Sequence, residues 1–568
     1  MTATPHGTGY GSNRPVVMGR NGMVCAGHPL ASLAGITVLQ QGGNAVDAAI
    51  AVAAALNVVE PLMSGIGGDG FILVHWNGAG NGRRKPGVRV VNATGAAPQT
   101  ATRESYLPEG IPMKGAGSVS VPGLLDGWAE AHDAYGALKW GQVFEPAIDL
   151  AENGFPVSHV VSQSIAEDEL LRTFPTSRAV FTADGKPPAP GQTVYQRDLA
   201  RSFKKIAAEG RDTFYRGEIG RAIAKFSQDN GGALSMKDLE GHRTRWQDPI
   251  STTYRGDTVY EAPPNSSGHI LLQELNVVET LDLRALGCNS AESIHAMVEA
   301  KKLAFADREA YVADPEFVEA PIAGLLSKEY ARERAALIDP GRAAVGVQAG
   351  DPWRHQGSPS PGRSKLRVGG EREDTTCFCV VDRWGNAVCQ LQSIQSQWGS
   401  SLIAGDTGIL LNNRMTYWHL EEDHVNRLEP GKRVRHTMNP VMVFDSTGRL
   451  MLVCGTPGAD TQVQTNLQVI SHVLDFGMTV AEAVEAPRWR STQDGTESTV
   501  PHSCPDELHM EGRFPQGVRD GLSARGHRLN VLGDWGGAGS EMMVQVNPES
   551  GALMGAADPR RDGYAVGW

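Results

Sequence analysis

The character of this chain changes abruptly near residue 370. From about residue 120 to 340 the chain reads mostly helical, most clearly over 128–135, 142–153, 199–209, 218–229 and 291–313. After residue 375, three strand–turn–strand units follow. They cover 377–394 turning at 383–386, 441–454 turning at 445–448, and 542–555 turning at 547–551. Between the two regimes lies DPWRHQGSPSPGRSKLRVGG, residues 351–370, dense in Pro, Gly, Ser and basic side chains. Such a stretch reads as exposed and flexible. An exposed segment directly ahead of a β-hairpin is where a chain can be cut, so the junction predicts a processing site.

Upstream of the helical region, residues 31–41 predict a helix, Gly42-Gly43-Asn44 breaks it, and the Ala-rich run 45–59 predicts a second helix able to pack tightly between layers. Strands are predicted at 71–76, 88–92 and 254–261, and residues 1–20 read as a loose tail. The run Ser64-Gly65-Ile66-Gly67-Gly68-Asp69-Gly70 precedes a strand rather than opening a helix. That is the wrong setting for a phosphate loop, and a tight turn is expected instead.

Composition narrows the function. Lys and Arg total 52 against 64 Asp and Glu, and no basic run exceeds Arg83-Arg84-Lys85, which argues against a nucleic-acid surface. Seven scattered Cys without a CxxC pair fit reduced thiols in a cytosolic protein. Cys377 and Cys379 fall on one face of a predicted strand, without partners at ligand spacing. With Cys389 they read as buried thiols, and neither a metal nor a cofactor is expected. The polar stretch Met1 to Arg14 lacks the apolar region of a secretory signal, and no apolar run is long enough to span a bilayer. Cytoplasmic location and no membrane partner follow as expectations.

Asp374-Thr375-Thr376 opens the first strand pair. A Thr hydroxyl is a weak nucleophile. At the start of a chain, however, its own α-amine, with a pKa of about 7.7–8.0, can take the hydroxyl proton. Two Thr at a strand start also suit β-propensity alone, so the wider pattern has to decide. That pattern includes Gly22-Met23-Val24, His28-Pro29-Leu30-Ala31-Ser32, Asn44-Ala45-Val46-Asp47-Ala48-Ala49, Val58-Val59-Glu60-Pro61 and Ser64-Gly65-Ile66-Gly67-Gly68. It resumes at Thr375-Thr376, Val380-Val381-Asp382, Gly408-Ile409-Leu410-Leu411-Asn412-Asn413, Thr456-Pro457-Gly458 and Asp558-Pro559-Arg560. In this order, over nearly the whole chain, it resembles the γ-glutamyltransferase family of N-terminal-nucleophile hydrolases.

The resemblance implies an α/β fold, a four-layer αββα sandwich. It implies a precursor cut between Asp374 and Thr375 into a large subunit, 1–374, and a small one, 375–568, which stay together as one domain. Thr375 would attack an amide carbonyl and pass the acyl group to water or an amine. The backbone N–H groups of Gly458 and Ala459 would hold the oxyanion, and Ser393 matches a hydroxyl that supports the nucleophile.

The departures from the family fall in the acyl-donor pocket. Thr94 stands where the family has the Arg that holds an α-carboxylate, and Tyr417 where it has the Asp that grips the α-amine. Arg414 replaces a Gln, and His436 and Thr437 replace paired Ser residues; Gln395 joins the substrate-binding candidates. A buried α-ammonium or carboxylate without a partner is costly, so a γ-glutamyl donor is expected to bind poorly. Arg414, Arg435 and His436 would instead suit an acyl group with a carboxylate and no α-amine, as in the cephalosporin acylase and oxamate amidohydrolase branches. The same cations could alternatively pair at the surface with Glu421, Glu422 or Asp423. The segment 413–435 looks shorter than the family's lid, which predicts an open site. Two other readings stand beside this one: a true γ-glutamyltransferase or glutathione hydrolase, and an uncleaved scaffold. A small-molecule amide is the expected partner, and further homo-oligomerisation is left open.

Overall fold

The Ala-rich run sets the layering. In this computed structural model, which describes residues 11–78, 85–357 and 375–568, α1 spans Pro29–Gln40 and α2 spans Ala45–Val59. Asn44 caps α2. Its Oδ1 accepts from the Val46 and Asp47 amides at 2.9 and 3.1 Å, and the Asp47 carboxylate accepts the Asn44 amide in return. Every residue of α2 is buried. Small side chains let the helix lie close against both a sheet and its neighbouring helices.

Two seven-stranded sheets form the centre, antiparallel at every pairing. Their strands begin with β1 (Val17–Gly19), β2 (Gly22–Ala26), β3 (Asp69–Trp76), β4 (Gly87–Ala93), β5 (Arg245–Gln247), β6 (Ile250–Tyr254) and β7 (Asp257–Glu261). They continue with β8 (Thr376–Asp382), β9 (Ala387–Ser393), β10 (Val441–Phe444), β11 (Leu450–Gly455), β12 (Met542–Val546), β13 (Leu553–Ala557) and β14 (Tyr564–Gly567). The first sheet runs β14-β2-β8-β9-β3-β4-β5, and the second β1-β13-β12-β11-β10-β7-β6.

Three apolar layers hold these parts. Ile50, Val52 and Leu56 of α2 share one with Phe378, Val380 and Val388 of the first sheet, joined by Leu124 and Trp128 of α3 (Leu124–Tyr135). On the second sheet, Val259, Val441 and Leu452 pack under α4 (Gly268–Val278), α5 (Ala291–Tyr311) and α6 (Thr461–Leu474). Between the sheets lie Met23, Cys25, Phe71, Cys389, Met442, Val453 and Val544. The result is the four-layer αββα sandwich.

The three C-terminal strand pairs form where expected. Other details differ. The strand expected at 254–261 is a hairpin, because Arg255 and Gly256 take positive φ (54° and 95°) and turn the chain between β6 and β7. Residues 11–20 are tied down rather than loose: the Asn13 and Arg14 amides donate to the Glu485 carboxylate at 2.6 and 2.8 Å, and 17–19 form β1. Of the segment 351–370, Pro352–Gln356 forms a 3-10 turn with Trp353 buried, and 358–370 lies outside the described residues. No described helix is long and apolar enough to cross a membrane.

Candidate active site

Strand register brings the first candidates together. The β8–β9 hairpin closes on Asp382, whose Oδ1 accepts the Trp384 and Asn386 amides at 2.9 and 3.0 Å. That turn pairs Thr376 with Gln392, and across β9 Ser393 pairs with Asp69. Thr375 directly precedes β8, and Ser393 directly follows Gln392, the register partner of Thr376. Thr375, Ser393 and Asp69 are all buried. The next hydroxyl, Thr376 Oγ1, donates to Glu60 Oε2 at 2.6 Å, just beyond the end of α2. Asp374 lies outside the described residues.

The second sheet supplies the facing turn. Gly455 at the end of β11 lies against Cys377, two residues from Thr375; a Cβ there would sit 2.7 Å from the Cys377 sulfur. The chain then turns through 456–459, with Gly458 at φ 116° and Ala459 at φ 49°. Thr456 Oγ1 accepts the Ser540 amide at 3.0 Å and donates to the Pro457 carbonyl at 2.9 Å. Asp460 occupies the position before α6 without a side-chain capping bond, so Gly458 and Ala459 stand at a helix N-terminus, where backbone dipoles favour negative charge. Neither of their amides donates to any acceptor among the described residues.

Of the pocket candidates, the structure gathers Thr94, Arg414, Tyr417, His436 and Thr437. Asn265 links two of them: its Nδ2 donates to Thr94 Oγ1 at 3.2 Å and its carbonyl accepts the His436 amide at 2.6 Å. The Arg414 guanidinium lies over the Tyr417 ring at 4.6 Å, and the Tyr417 and Thr437 hydroxyls are 3.1 Å apart. Gln395 sits beside Ser393, its amide donating to Ser393 Oγ at 2.8 Å. Arg435 reaches away to α5, where its Nη2 donates to both oxygens of Glu309 at 2.7 and 2.9 Å.

The positive charge expected from Arg414, Arg435 and His436 is compensated internally, not at the surface by Glu421, Glu422 or Asp423. Asp69 takes Arg414 Nη2 and His436 Nε2, each at 3.0 Å. Burial pushes the Asp69 carboxyl up, but Arg414 and then His436 overcome this and hold it below the usual range. His436 is lowered to about 4, by burial first and with Arg414 also pushing down, so it is neutral. A carboxylate only accepts, so His436 donates from Nε2; its Nδ1 is then an acceptor without a partner. Glu309 is likewise held low against its burial by Arg435 and Arg308.

The 413–435 segment is packed against the body of the protein. Met415, Tyr417, Trp418, Leu428 and Val434 collapse onto Ala97, Ala101 and Ile111, because a short loop rich in large apolar groups gains by burying them.

Among the described residues, three groups of ligand-type side chains have their ligand atoms within 4.8 Å of one another. One corrects the expectation that Cys377 and Cys379 lack a partner, since Cys389 lies directly across from Cys379. Those thiols are used: Cys379 and Cys389 donate to the Met542 and Cys454 carbonyls at 3.4 and 3.2 Å. In the second group, Glu299 takes Lys302 Nζ at 2.7 Å. In the third, which joins Glu309 to His419 and His424, two Arg already hold the carboxylate.

Sequence reasoning missed Asp69, Glu60, Glu309 and Asp460. Asp69 and Glu60 stood inside quoted motifs, but their partners lie some 300 residues away and no spacing reveals them.

The gamma-glutamyltranspeptidase family description matches residues 31–568. The chain is 39% identical to the glutathione hydrolase-like YwrD proenzyme of Bacillus subtilis (strain 168), over 97% of this chain and 99% of that one. It is 38% identical to the acylase ACY 1 proenzyme of Pseudomonas sp. (strain SE83), over 96% and 94%. The crystal structure of cephalosporin acylase from Bacillus halodurans covers 100% of this chain and 99% of its own, with a TM-score of 0.86 at 32% identity. The chain therefore belongs to the gamma-glutamyltranspeptidase family and is an enzyme of its amidohydrolase and acyltransferase class, built on the N-terminal-nucleophile hydrolase fold.

Proposed function

We propose that this chain is a self-processing N-terminal-threonine amidohydrolase. The cut falls between Asp374 and Thr375 and frees the Thr375 α-amine to act as base. Thr375 Oγ then attacks an amide carbonyl, and the C–N bond breaks as the leaving amine takes a proton. Water or a second amine releases the acyl group from the resulting ester. The observation that carries this reading is that the amides of Gly458 and Ala459, both buried residues at a helix N-terminus, have no acceptor among the described residues, on a turn that follows Gly455 packed against Cys377. Leaving a buried donor unpaired costs about 1–3 kcal/mol, and a developing oxyanion would satisfy both.

The acyl group this pocket suits bears a carboxylate and no α-amine. Asp69, Glu309 and Asp460 are each already paired with an Arg, which leaves none of them for an ammonium. Arg414 Nε is a buried donor without an acceptor among the described residues, which a substrate carboxylate or carbonyl would supply. The match to an acylase proenzyme is consistent with this.

The two pieces would remain together because their strands interleave. In the first sheet β8 from the small piece lies between β2 from the large piece and β9 from the small one.

The test is release of p-nitroaniline from γ-glutamyl, glutaryl and oxamyl anilides. Glutaryl or oxamyl turnover is expected to exceed γ-glutamyl turnover by at least about tenfold in kcat/KM, the effect of roughly 1.4 kcal/mol. Equal or better turnover of the γ-glutamyl compound overturns the pocket reading in favour of a glutathione hydrolase.

A further inference from the structure

One short loop, 496–499, touches both halves of the proposed catalytic apparatus. Asp460 directly follows Ala459. Its Oδ2 accepts the Ser498 amide at 2.7 Å and its Oδ1 the Ser498 hydroxyl at 2.9 Å. The Arg308 guanidinium, from α5, pairs with the same carboxylate and also donates to the Thr496 carbonyl. The next residue, Thr499, accepts Gln395 Nε2 at 2.7 Å, and the Gln395 amide donates to Ser393 Oγ. An unbroken chain of contacts therefore runs from the oxyanion turn, on the second sheet, to Ser393, on the first.

The two ends of this chain are under strain. Ala459 at φ 49° and Gln395 at φ 89° are both non-glycine residues with positive φ. Such conformations persist only where surrounding contacts hold them. Arg308, Asp460, Ser498 and Thr499 are all buried, so water cannot replace the contacts.

We propose that the 496–499 loop, clamped by Arg308 through Asp460, is a positioning device for the reaction. It fixes the Ala459 amide relative to Ser393, and thus to Thr375, across the gap between the two sheets. Arg308, Asp460, Ser498 and Thr499 are positioning residues that touch no reacting atom. The proposal rests on the reading of Gly458, Ala459 and Ser393 given above.

The experiment is steady-state kinetics on the processed enzyme, with the best anilide substrate of the wild type, alongside thermal melting. Asp460→Asn is expected to lower kcat about 10–100-fold, the range seen for small misplacements and lost oxyanion donors. Ser498→Ala and Thr499→Val each remove one uncharged group and are expected to lower kcat about tenfold. In Ser498→Ala and Thr499→Val, KM should stay within about twofold and Tm close to wild type, and Arg308→Lys should retain more kcat than Arg308→Met. If Asp460→Asn fails to fold, the two uncharged variants decide. Wild-type turnover with kcat unchanged in Ser498→Ala and Thr499→Val overturns the positioning role alone. Losses of kcat that only track a fall in Tm overturn it too. A wild type inactive on every amide overturns the functional reading beneath it.

Discussion

Asp69, on β3, lies one strand from β9, the partner of β8, and its charge is fully committed. Removing it would leave Arg414 buried and unpaired, and breaking such a pair from one side costs about 3–5 kcal/mol. Asp69→Asn is therefore expected to lose about that much stability in chemical denaturation; a loss below about 1 kcal/mol would mean that the pair is not isolated from water. Ala459 makes the opposite case. Its role would belong to a backbone amide, and its φ of 49° suits glycine better. Ala459→Gly should keep kcat within about threefold while relieving strain of about 1 kcal/mol, and a hundredfold loss would remove the oxyanion assignment. At this scale the sequence singled out Thr375, Ser393 and the 456–459 turn as candidates, because they are local motifs. It could not reveal that Arg414 and His436 share Asp69, since that pairing exists only once β3 and the segment from 413 on meet.

Among elements, the glycine-rich approach to β3 is the most tightly built. A Cβ on Gly67 would come within 2.2 Å of the Leu410 carbonyl oxygen, and one on Gly68 within 2.2 Å of the Ser393 carbonyl oxygen. Those clashes are with backbone and cannot be relieved by a rotamer change. Gly68→Ala should destabilise by about 1–3 kcal/mol and also lower kcat by shifting Ser393, measured by melting and anilide kinetics together. Retention of both would show that this turn does not set the site. Element types were legible where composition or turn signals were strong, as in the Ala-rich α2, the long α5 and the three C-terminal hairpins. The hairpin inside 254–261 was hidden because Arg255-Gly256 is a weak turn signal within a run of strand formers. The packing of 413–435 was not legible because an irregular loop has no period, and only its large apolar residues show that it packs.

For the whole molecule, buried titratable groups set a stability maximum. His28, His436, His472 and His502 are lowered by burial to about 4, and His242, His269 and His527 to about 3, from 6.5. As pH falls below 6.5 the unfolded chain takes up protons that these folded imidazoles refuse, so stability falls. Glu274 and Glu541 are raised by burial to about 8 from 4.5. As pH rises from 4.5 to 8 the unfolded chain loses protons that these folded carboxyls keep, so their contribution falls. The histidines outnumber them below 6.5, which places the highest Tm near pH 6.5, with a steeper decline on the acid side. A flat profile from pH 4 to 8 would contradict the burial on which it rests.

The interleaved sheets also make self-cleavage compatible with an intact fold, and cleavage is the most direct test of Thr375. The measurement is denaturing intact-mass analysis of the purified 60.7 kDa chain, with N-terminal sequencing of any fragment. Two fragments of about 40 and about 21 kDa, scaled by length, are expected, the smaller beginning Thr-Thr-Cys, with Thr375→Ala remaining whole. A single chain that persists on incubation, or a cut elsewhere, would contradict Thr375 as the nucleophile.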